Sequence, residues 1–341
     1  MSKENQKLLR KLVAPYEKSD HMKSTIQLLN TLLPFFLVWF LAYKSLEIHY
    51  IITLGFAIIG AGLLTRIFII FHDCCHHSFY KNRKLNSVLG TITGVLTLFP
   101  FKKWQHEHSV HHASSGNLDK RGVGDIWMMT VEEYQQATPF TRLQYRLYRH
   151  PIVMLFIGPT YVFLFKNRMN RKKARKTERL NTYLTNILIV GIIVLLCYTI
   201  GWEAFLLVQA PIFLISGTMG VWLFYVQHTF EDSYFEWSEE WEYVKAAVEG
   251  SSYYKLPKVL QWFTGNIGYH HVHHLSPRVP NYKLEDAHMN AEPLQHVPTI
   301  TLRTSLASIK FRLWDEKNKR YIGFKELKHL KGIKEMPVQS N

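Results

Sequence analysis

The sequence has too few cysteines and charged residues for several classes of protein. Among 341 residues there are only three cysteines, Cys74, Cys75 and Cys197, and two of them are adjacent. An odd number with an adjacent pair excludes a disulfide framework, and free thiols are typical of a reducing compartment. Only 20% of the residues are charged, whereas 47% are apolar and 14% are aromatic. This composition excludes an intrinsically disordered chain.

Acidic residues are scarce relative to basic ones. The 41 Lys and Arg outnumber the 26 Asp and Glu, so the formal net charge is +15. A nucleic-acid-binding protein would share this charge, but it would not contain the long uncharged stretches described next. We therefore expect no nucleic-acid partner.

Four apolar stretches are long enough to cross the hydrocarbon core of a bilayer, which takes about 20 residues. They are 26–43, 51–71, 183–202 and 204–226, and Arg66 is their only charged residue. Very short links, 44–50 and Glu203, join them into two hairpins. No signal peptide is expected, because 25 polar, Lys-rich residues precede the first run and no small-residue cleavage site follows it.

The positions of Lys and Arg predict the orientation of these spans. Residues 72–182 carry 18 Lys and Arg, whereas the two hairpin links carry one, Lys44. Because basic residues accumulate on the cytoplasmic side, both termini and the middle region are predicted to be cytoplasmic in a multi-pass protein of the cell membrane. The basic run Lys166–Arg179 lies beside a span, where attraction to anionic lipid is expected.

Two further apolar runs, 85–101 and 151–165, have basic residues at both ends and predict interfacial or re-entrant helices. The predicted fold is therefore all-α, with four transmembrane helices in two hairpins under a cytoplasmic helical cap. The chain then divides into five regions. These are a cytoplasmic N-terminal segment (1–25), a first transmembrane hairpin (26–71), a cytoplasmic middle region with the first two histidine boxes (72–182), a second transmembrane hairpin (183–226) and a cytoplasmic C-terminal region with His228 and the third box (227–341).

Histidine is unusually abundant, with 18 residues that gather mainly in three boxes. Residues three and four apart share one face of a helix, so each box directs two or three imidazoles to the same side. A single His228 follows the fourth span. The nine histidines that fit this spacing, with His228, are His72, His76, His108, His111, His112, His228, His270, His273 and His274.

Nine imidazoles are too many for one metal ion and suit two, with four or five ligands each. Imidazole binds Zn, Cu, Fe and Ni, and a His-rich site with few thiolates favours iron for oxygen chemistry, although spacing alone leaves zinc open. Cys74 and Cys75 are expected to be small packing residues. Asp73, Glu107 and Asp125 are candidates to orient ligating histidines, although Glu107 and Asp125 could equally be solvated surface acids.

Other histidines do not fit the shared spacing. His77, His106 and His271 are expected to form hydrogen bonds or to pack rather than to bind metal. Isolated histidines such as His49, His150 and His288 are expected to be structural.

The three boxes resemble those of the membrane fatty acid desaturases. Their H-x3-H, H-x2-H-H and H-x2-H-H patterns correspond here to His72/His76, His108/His111/His112 and His270/His273/His274. The flanking segments 266–282 and 226–230 resemble the acyl-lipid branch, most closely the phospholipid delta-5 desaturases. The resemblance runs across essentially the whole chain.

The resemblance implies four transmembrane helices under a cytoplasmic cap and a non-haem di-iron centre held almost wholly by histidine, with His228 as the additional ligand. It implies an oxidoreductase that uses O2 to introduce a cis double bond into the acyl chain of a membrane phospholipid. No catalytic side chain beyond the metal ligands is expected. The acyl chain would pass between the helices, and Trp104, Trp222 and Tyr269 could line its path or simply pack.

The electrons for this reaction would come from a separate carrier. The chain has no GxGxxG after a predicted strand, no cysteine set for an iron–sulfur cluster and no recognisable haem domain. Ferredoxin or flavodoxin is the expected donor, because both are acidic and the chain is basic.

Two alternative functions share part of the pattern. A membrane di-iron hydroxylase or monooxygenase would use similar ligand spacing, and its product would be an alcohol rather than an alkene. A metal transporter would place ionisable residues within the spans near the midplane, but here the histidines lie just beyond the span ends.

Overall fold

A short amphipathic helix and two long helices form the N-terminal part of the structure, a computed structural model that describes residues 2–327. They are α1 (Lys3–Val13), α2 (His21–Ser45) and α3 (Tyr50–Cys75). The two long helices are apolar enough to cross a membrane, which confirms the first predicted pair of spans. The side chains of Asp20 and His49 accept backbone N–H groups at the starts of α2 and α3, and such caps satisfy donors that a helix leaves free.

Shorter helices occupy the middle region, namely α4 (Arg83–Leu96), α5 (Phe101–Ser114), α6 (Val131–Gln136), α7 (Pro139–Tyr148) and α8 (Gly158–Leu164). The predicted run 85–101 is divided, because Leu98 has a φ of +63° and Pro100 precedes α5. The run 151–165 contains one π-helical turn, Val153–Ile157, before α8. With α7 it forms a pair bent by 67°, so the described residues contain four candidate spans, or five if this pair is one broken span.

The second hairpin consists of α9 (Lys176–Ile200) and α10 (Trp202–His228), both apolar enough to span a membrane. Gly201 links them with a φ of +86°, a backbone conformation that glycine adopts without steric cost. The C-terminal ends of α3 and α10 and the N-terminal ends of α2 and α9 connect to the polar regions. The two short links therefore lie at the opposite ends of the hairpins, as predicted.

Helix α3 is the centre of the helical bundle. In its apolar window 67% of the residues are buried, compared with 22% or less in the other three long helices. Gly60 and Gly62 permit close packing on this helix: a Cβ at Gly60 would lie 3.2 Å from Ile212, and one at Gly62 would lie 2.7 Å from Phe263. By contrast, α9 exposes many large apolar side chains, as expected for a surface in contact with lipid.

Within residues 229–322, the cap contains five short α-helices and most of the strands. The helices are α11 (Tyr243–Glu249), α12 (Lys258–Phe263), α13 (His270–Leu275), α14 (Leu284–Met289) and α15 (Leu302–Ser305). The strands are β1 (Met129–Thr130), β2 (Tyr253–Lys255), β3 (Thr299–Thr301), β4 (Leu313–Asp315) and β5 (Arg320–Ile322). β2 pairs with β3 in parallel, and β4 pairs in parallel with β1 and antiparallel with β5. The fold is thus predominantly helical, as predicted.

Candidate metal centre

Four helices bring the nine predicted histidines together where the long helices meet the cap. The C-terminal turn of α3 and the residue after it supply two of them, α5 supplies three, the last residue of α10 supplies one, and α13 supplies three: His72, His76, His108, His111, His112, His228, His270, His273 and His274. Helical spacing directs the histidines of each box to one side of their helix. The packing of the four helices against one another then brings the boxes to one place.

The first group consists of five histidines, whose ligand nitrogens all lie within 4.8 Å of one another: His72, His76, His108, His112 and His273. The Nε2 atom of His112 lies 3.0 Å from that of His108 and 2.9 Å from that of His273. Residues from α3, α5 and α13 therefore share one small volume.

The second group lies beside the first. Ligand nitrogens of His111, His228 and His274 lie within 4.8 Å of one another. The Nε2 atom of His270 adjoins them, at 3.0 Å from His228 and 3.1 Å from His274. The rings of His112 and His274 stack across the two groups with centroids 4.2 Å apart.

The grouping divides the second and third boxes in the same way. His108 and His112 belong to the first group and His111 to the second, whereas His270 and His274 belong to the second and His273 to the first. With 3.6 residues per turn, positions i and i+4 differ by about 40° around the axis, and position i+3 lies about 60° to the other side. Each of these helices can therefore contribute to both groups.

Three of the histidines have a fixed orientation, because an acceptor binds their Nδ1–H. Asp73 Oδ1 lies 3.2 Å from Nδ1 of His72, and Asp125 Oδ1 lies 2.5 Å from Nδ1 of His111. His228 donates its Nδ1–H to the carbonyl oxygen of Gly250 over 3.1 Å. A neutral imidazole has one N–H, so the Nε2 atoms of these rings present lone pairs to the centre.

This arrangement fits bound cations. The Nε2 atoms of His111 and His228 lie 3.3 Å apart, so two lone pairs face each other unless a positive charge lies between them. His76 Nε2 is buried and has no hydrogen-bond partner among the described residues. Metal–imidazole bonds are roughly 2.0–2.1 Å long, so nitrogens on adjacent vertices of one ion lie about 3 Å apart. The observed spacings have this value.

Burial also keeps five of these imidazoles in the protonation state that metal binding requires. It lowers the pKa of five histidines outside the long helices well below the usual range, and neighbouring histidines lower it further: His108, His112, His270, His273 and His274. A metal ligand must be neutral imidazole. These five imidazoles are therefore neutral, and able to bind metal, at neutral pH.

Sequence comparisons identify the family. Residues 48–304 match the model of the fatty acid desaturase family. A fatty acid desaturase of Bacillus subtilis is 65% identical over 325 residues, which cover 95% of this chain and 92% of that protein. This chain belongs to the fatty acid desaturase family. It is an oxidoreductase, and its buried histidine cluster fits the metal site of such an enzyme.

More distant relatives of this desaturase include two cyanobacterial enzymes. One is the sn-1 oleoyl-lipid 12-desaturase of Synechocystis, which is 26% identical over 66% of this chain and 64% of its own length. The other is the sn-1 acyl-lipid omega-3 desaturase (ferredoxin) of Nostoc, which is 27% identical over 67% of this chain and 64% of its own length.

The remaining histidines of the boxes lie outside both groups in the desaturase. His271 Nε2 lies 3.0 Å from Nδ1 of His288, and His77 Nε2 lies 3.2 Å from the side-chain nitrogen of Gln105. His106 belongs to neither group. Of the three acidic candidates, Asp73 and Asp125 contact histidines, whereas the carboxylate of Glu107 has no hydrogen bond to a histidine within residues 2–327.

The aromatic residues considered for the acyl path lie in different surroundings. The Trp104 ring stacks on the imidazole of His108, with centroids 4.0 Å apart and an angle of 21°. The Tyr269 ring stacks instead on Tyr253, and Trp222 packs near Tyr225. Only Trp104 among these three has a ring contact with a histidine of the two groups in the described chain.

The partner of His228 is a feature that sequence patterns did not predict. It is a backbone carbonyl, that of Gly250, which lies 22 residues further along the chain. A main-chain acceptor has no side-chain signature, so only the tertiary structure could identify it.

A cavity of about 50 Å³ adjoins His111, Asp125 and His228, and Phe224 and Ile126 are among its lining residues.

Proposed function

We propose that this desaturase binds two iron ions through nine histidines and uses O2 to introduce a cis double bond into the acyl chain of a membrane phospholipid, at the delta-5 position. The observation that carries the proposal is the convergence of nine imidazoles into two adjoining groups of five and four. The proposed ligands are His72, His76, His108, His112 and His273 in the first group, and His111, His228, His270 and His274 in the second.

The reaction explains why a metal is needed. Two adjacent methylenes, O2, two electrons and two protons would give one alkene and two waters. An unactivated methylene has no acidic proton, so a carboxylate or imidazole base cannot break its C–H bond. Bound iron would supply the oxygen chemistry, while the protein supplies ligation, orientation and exclusion of water.

The side chains around the groups have roles that follow from their contacts. Asp73 and Asp125 hold the Nδ1 protons of His72 and His111, one histidine in each group. The same hydrogen bonds direct Nε2 inward and increase its basicity. Trp104 covers one face of His108 and excludes water there. The cavity of about 50 Å³ beside His111 has room for a molecule of the size of O2 or water.

The lipid substrate is supported by the relatives and by the surface of the helices. Two cyanobacterial relatives are named as desaturases of sn-1 acyl or oleoyl lipids. The apolar faces of α2 and α9 are exposed, so a lipid already in the bilayer could approach the bundle laterally. Delta-5 selectivity rests on the resemblance of the sequence to phospholipid delta-5 desaturases.

We propose that a separate carrier, ferredoxin or flavodoxin, delivers the electrons. The name of the Nostoc relative specifies ferredoxin. Both kinds of carrier are acidic, and this chain has a net charge of +15, so electrostatic attraction would increase the rate of association. We further propose that both termini and the metal centre lie in the cytoplasm, where such carriers occur. The proposed division of the chain into five regions is the one predicted from the sequence.

Expression in a bacterial host that lacks desaturase activity tests the function. Total fatty acids would be analysed by mass spectrometry with location of the double bond. We expect a new cis alkene at C5 of phospholipid acyl chains, dependent on oxygen. An alcohol instead of an alkene would indicate a hydroxylase, and an alkene at another carbon would contradict the delta-5 assignment alone.

A further inference from the structure

The carboxylate that holds His72 is itself held in place by an asparagine. Oδ2 of Asp73 accepts two hydrogen bonds from Asn281, from the backbone N–H over 2.7 Å and from Nδ2 over 2.8 Å. The other oxygen, Oδ1, faces Nδ1 of His72. Asp73 and Asn281 are both 1% exposed. One oxygen of this carboxylate therefore contacts His72, and the other binds Asn281.

The asparagine is held in turn by a residue of the first long helix. Gln27, in α2, donates its Nε2–H to Oδ1 of Asn281 over 2.8 Å, and Gln27 is 4% exposed. The amide of Asn281 thus cannot rotate without losing two bonds, one to Asp73 and one to Gln27. A continuous buried path runs from α2 through Gln27, Asn281 and Asp73 to His72.

We propose that Asn281 is a positioning residue for the metal centre, acting on His72 through Asp73. The inference rests on the proposed role of His72 as an iron ligand. Asn281 lies outside the histidine boxes and touches no ligand itself. Its double hydrogen bond fixes the plane of the Asp73 carboxylate, and that plane sets the direction of the His72 ring. The path from Gln27 makes the packing of α2 part of the ligand geometry.

Replacement of the asparagine isolates this role. In Asn281→Ala the backbone N–H still reaches Asp73, but the Nδ2 bond and the acceptor for Gln27 are lost. Outer hydrogen bonds of this kind typically change metal affinity by about 10- to 100-fold. We expect iron to be lost to a chelator about 10-fold faster than from the parent protein, and from one of the two groups only. Gln27→Ala, which leaves both bonds to Asp73 intact, should have a smaller effect.

A matched control separates positioning from general stability. Asn86 is also fully buried and hydrogen-bonded at both ends of its amide, to the N–H and the carbonyl of Tyr80, and it contacts none of the nine histidines. Asn86→Ala should lower the unfolding temperature but leave the rate of iron loss unchanged. Each variant would be reconstituted with Fe²⁺ and measured for metal content, chelation rate and thermal unfolding.

The outcomes distinguish this inference from the proposed function. If the parent protein does not retain two iron ions per chain, the proposed function fails. If the parent retains two and Asn281→Ala releases them at the parent rate, the positioning role of Asn281 is wrong. An equal increase in iron loss for Asn281→Ala and Asn86→Ala would also overturn it, because the effect would then follow stability alone.

Discussion

At the scale of single residues, the orientation of a histidine in this centre depends on the group that accepts a hydrogen bond from its Nδ1–H. Three histidines donate a hydrogen bond from Nδ1–H, to Asp73, to Asp125 and to the carbonyl oxygen of Gly250. The Nε2 atom of each ring is therefore free to bind metal. Two of these acceptors are carboxylates, and one serves each group. The negative charges partly compensate the positive charge that two metal ions would bring to a site built of neutral ligands.

Loss of one ligand from either group should stop the reaction. We expect His273→Ala, in the first group, and His111→Ala, in the second, each to abolish desaturation and to lower the iron content, because each removes a nitrogen from a different group. Fatty acid analysis and metal content measure the two effects. Retained activity in either variant would contradict the ligand assignment.

The matched control for these variants is His49→Ala. His49 lies at the other end of α3, where its Nδ1 accepts the N–H of Ile51. Loss of such a cap costs about 1 kcal/mol of stability and should leave both iron content and activity intact.

The carboxylate of Asp125 should matter for metal affinity more than for folding. Asp125→Asn keeps the size of the side chain but removes the charged acceptor of His111. We expect weaker metal binding by about 10- to 100-fold, measured by competition with a chelator. Asp119→Asn is the control, because Asp119 accepts the N–H of exposed Ser238 rather than that of a histidine. Equal affinities for Asp125→Asn and Asp119→Asn would argue against the orienting role.

At the scale of elements, α3 connects the membrane part to the metal centre. Its middle packs against α2 and α10, and its last turn carries His72. The short helix α12 packs on its side, with Phe263 over Gly62, and leads within seven residues to α13 and the third box. The position of α13 therefore depends on how closely α12 approaches α3.

A side chain at Gly62 should disturb this contact. An added Cβ would lie 2.7 Å from Cδ1 of Phe263, so the ring and α12 must move in Gly62→Ala. Overpacking typically costs about 1–3 kcal/mol, and we expect a lower unfolding temperature in detergent together with lower activity. Gly55→Ala is the control, because nothing lies within 4 Å of its added Cβ. Identical unfolding temperatures for the two variants would count against this account of α12.

At the scale of the whole molecule, the fold places one reactive centre at one end of two hairpins. The ends of α3 and α10 that carry His72 and His228 both contact α13 there, and the hairpin links lie at the opposite ends. Such an arrangement leaves an apolar bundle in contact with lipid and a polar cap on which the proposed electron carrier could dock. The charge distribution predicts that the cap faces the cytoplasm.

Labelling of single cysteines in intact cells tests this orientation. Both variants would carry Cys197→Ser, because Cys197 is not fully buried. Glu47→Cys, in the exposed first link, should react with a membrane-impermeant maleimide from outside. Lys172→Cys, on the exposed surface of the cap, should react only after the cells are permeabilised. The opposite pattern would reverse the predicted orientation.

Local patterns in the sequence were sufficient for the four long helices and for most of the candidate site. Runs without charge identified the four long helices, since crossing a bilayer requires about 20 consecutive apolar residues. Helical spacing identified eight of the nine histidines that converge, His228 was added from its position after the fourth span, and spacing also set apart His77, His106 and His271, which lie outside both groups. These features depend on neighbours along the chain, which a sequence displays directly.

The tertiary structure alone decided how the histidines divide between two groups and what holds them. His111 joins His228, and His273 joins His112, through contacts between residues more than 100 positions apart. The acceptor at Gly250 and the path through Gln27 and Asn281 are likewise contacts between distant segments. Spacing along one helix specifies the direction of a side chain, but its partner depends on how the helices pack. The sequence by itself therefore determined the candidate ligands and the spans, and packing decided their assembly into one centre.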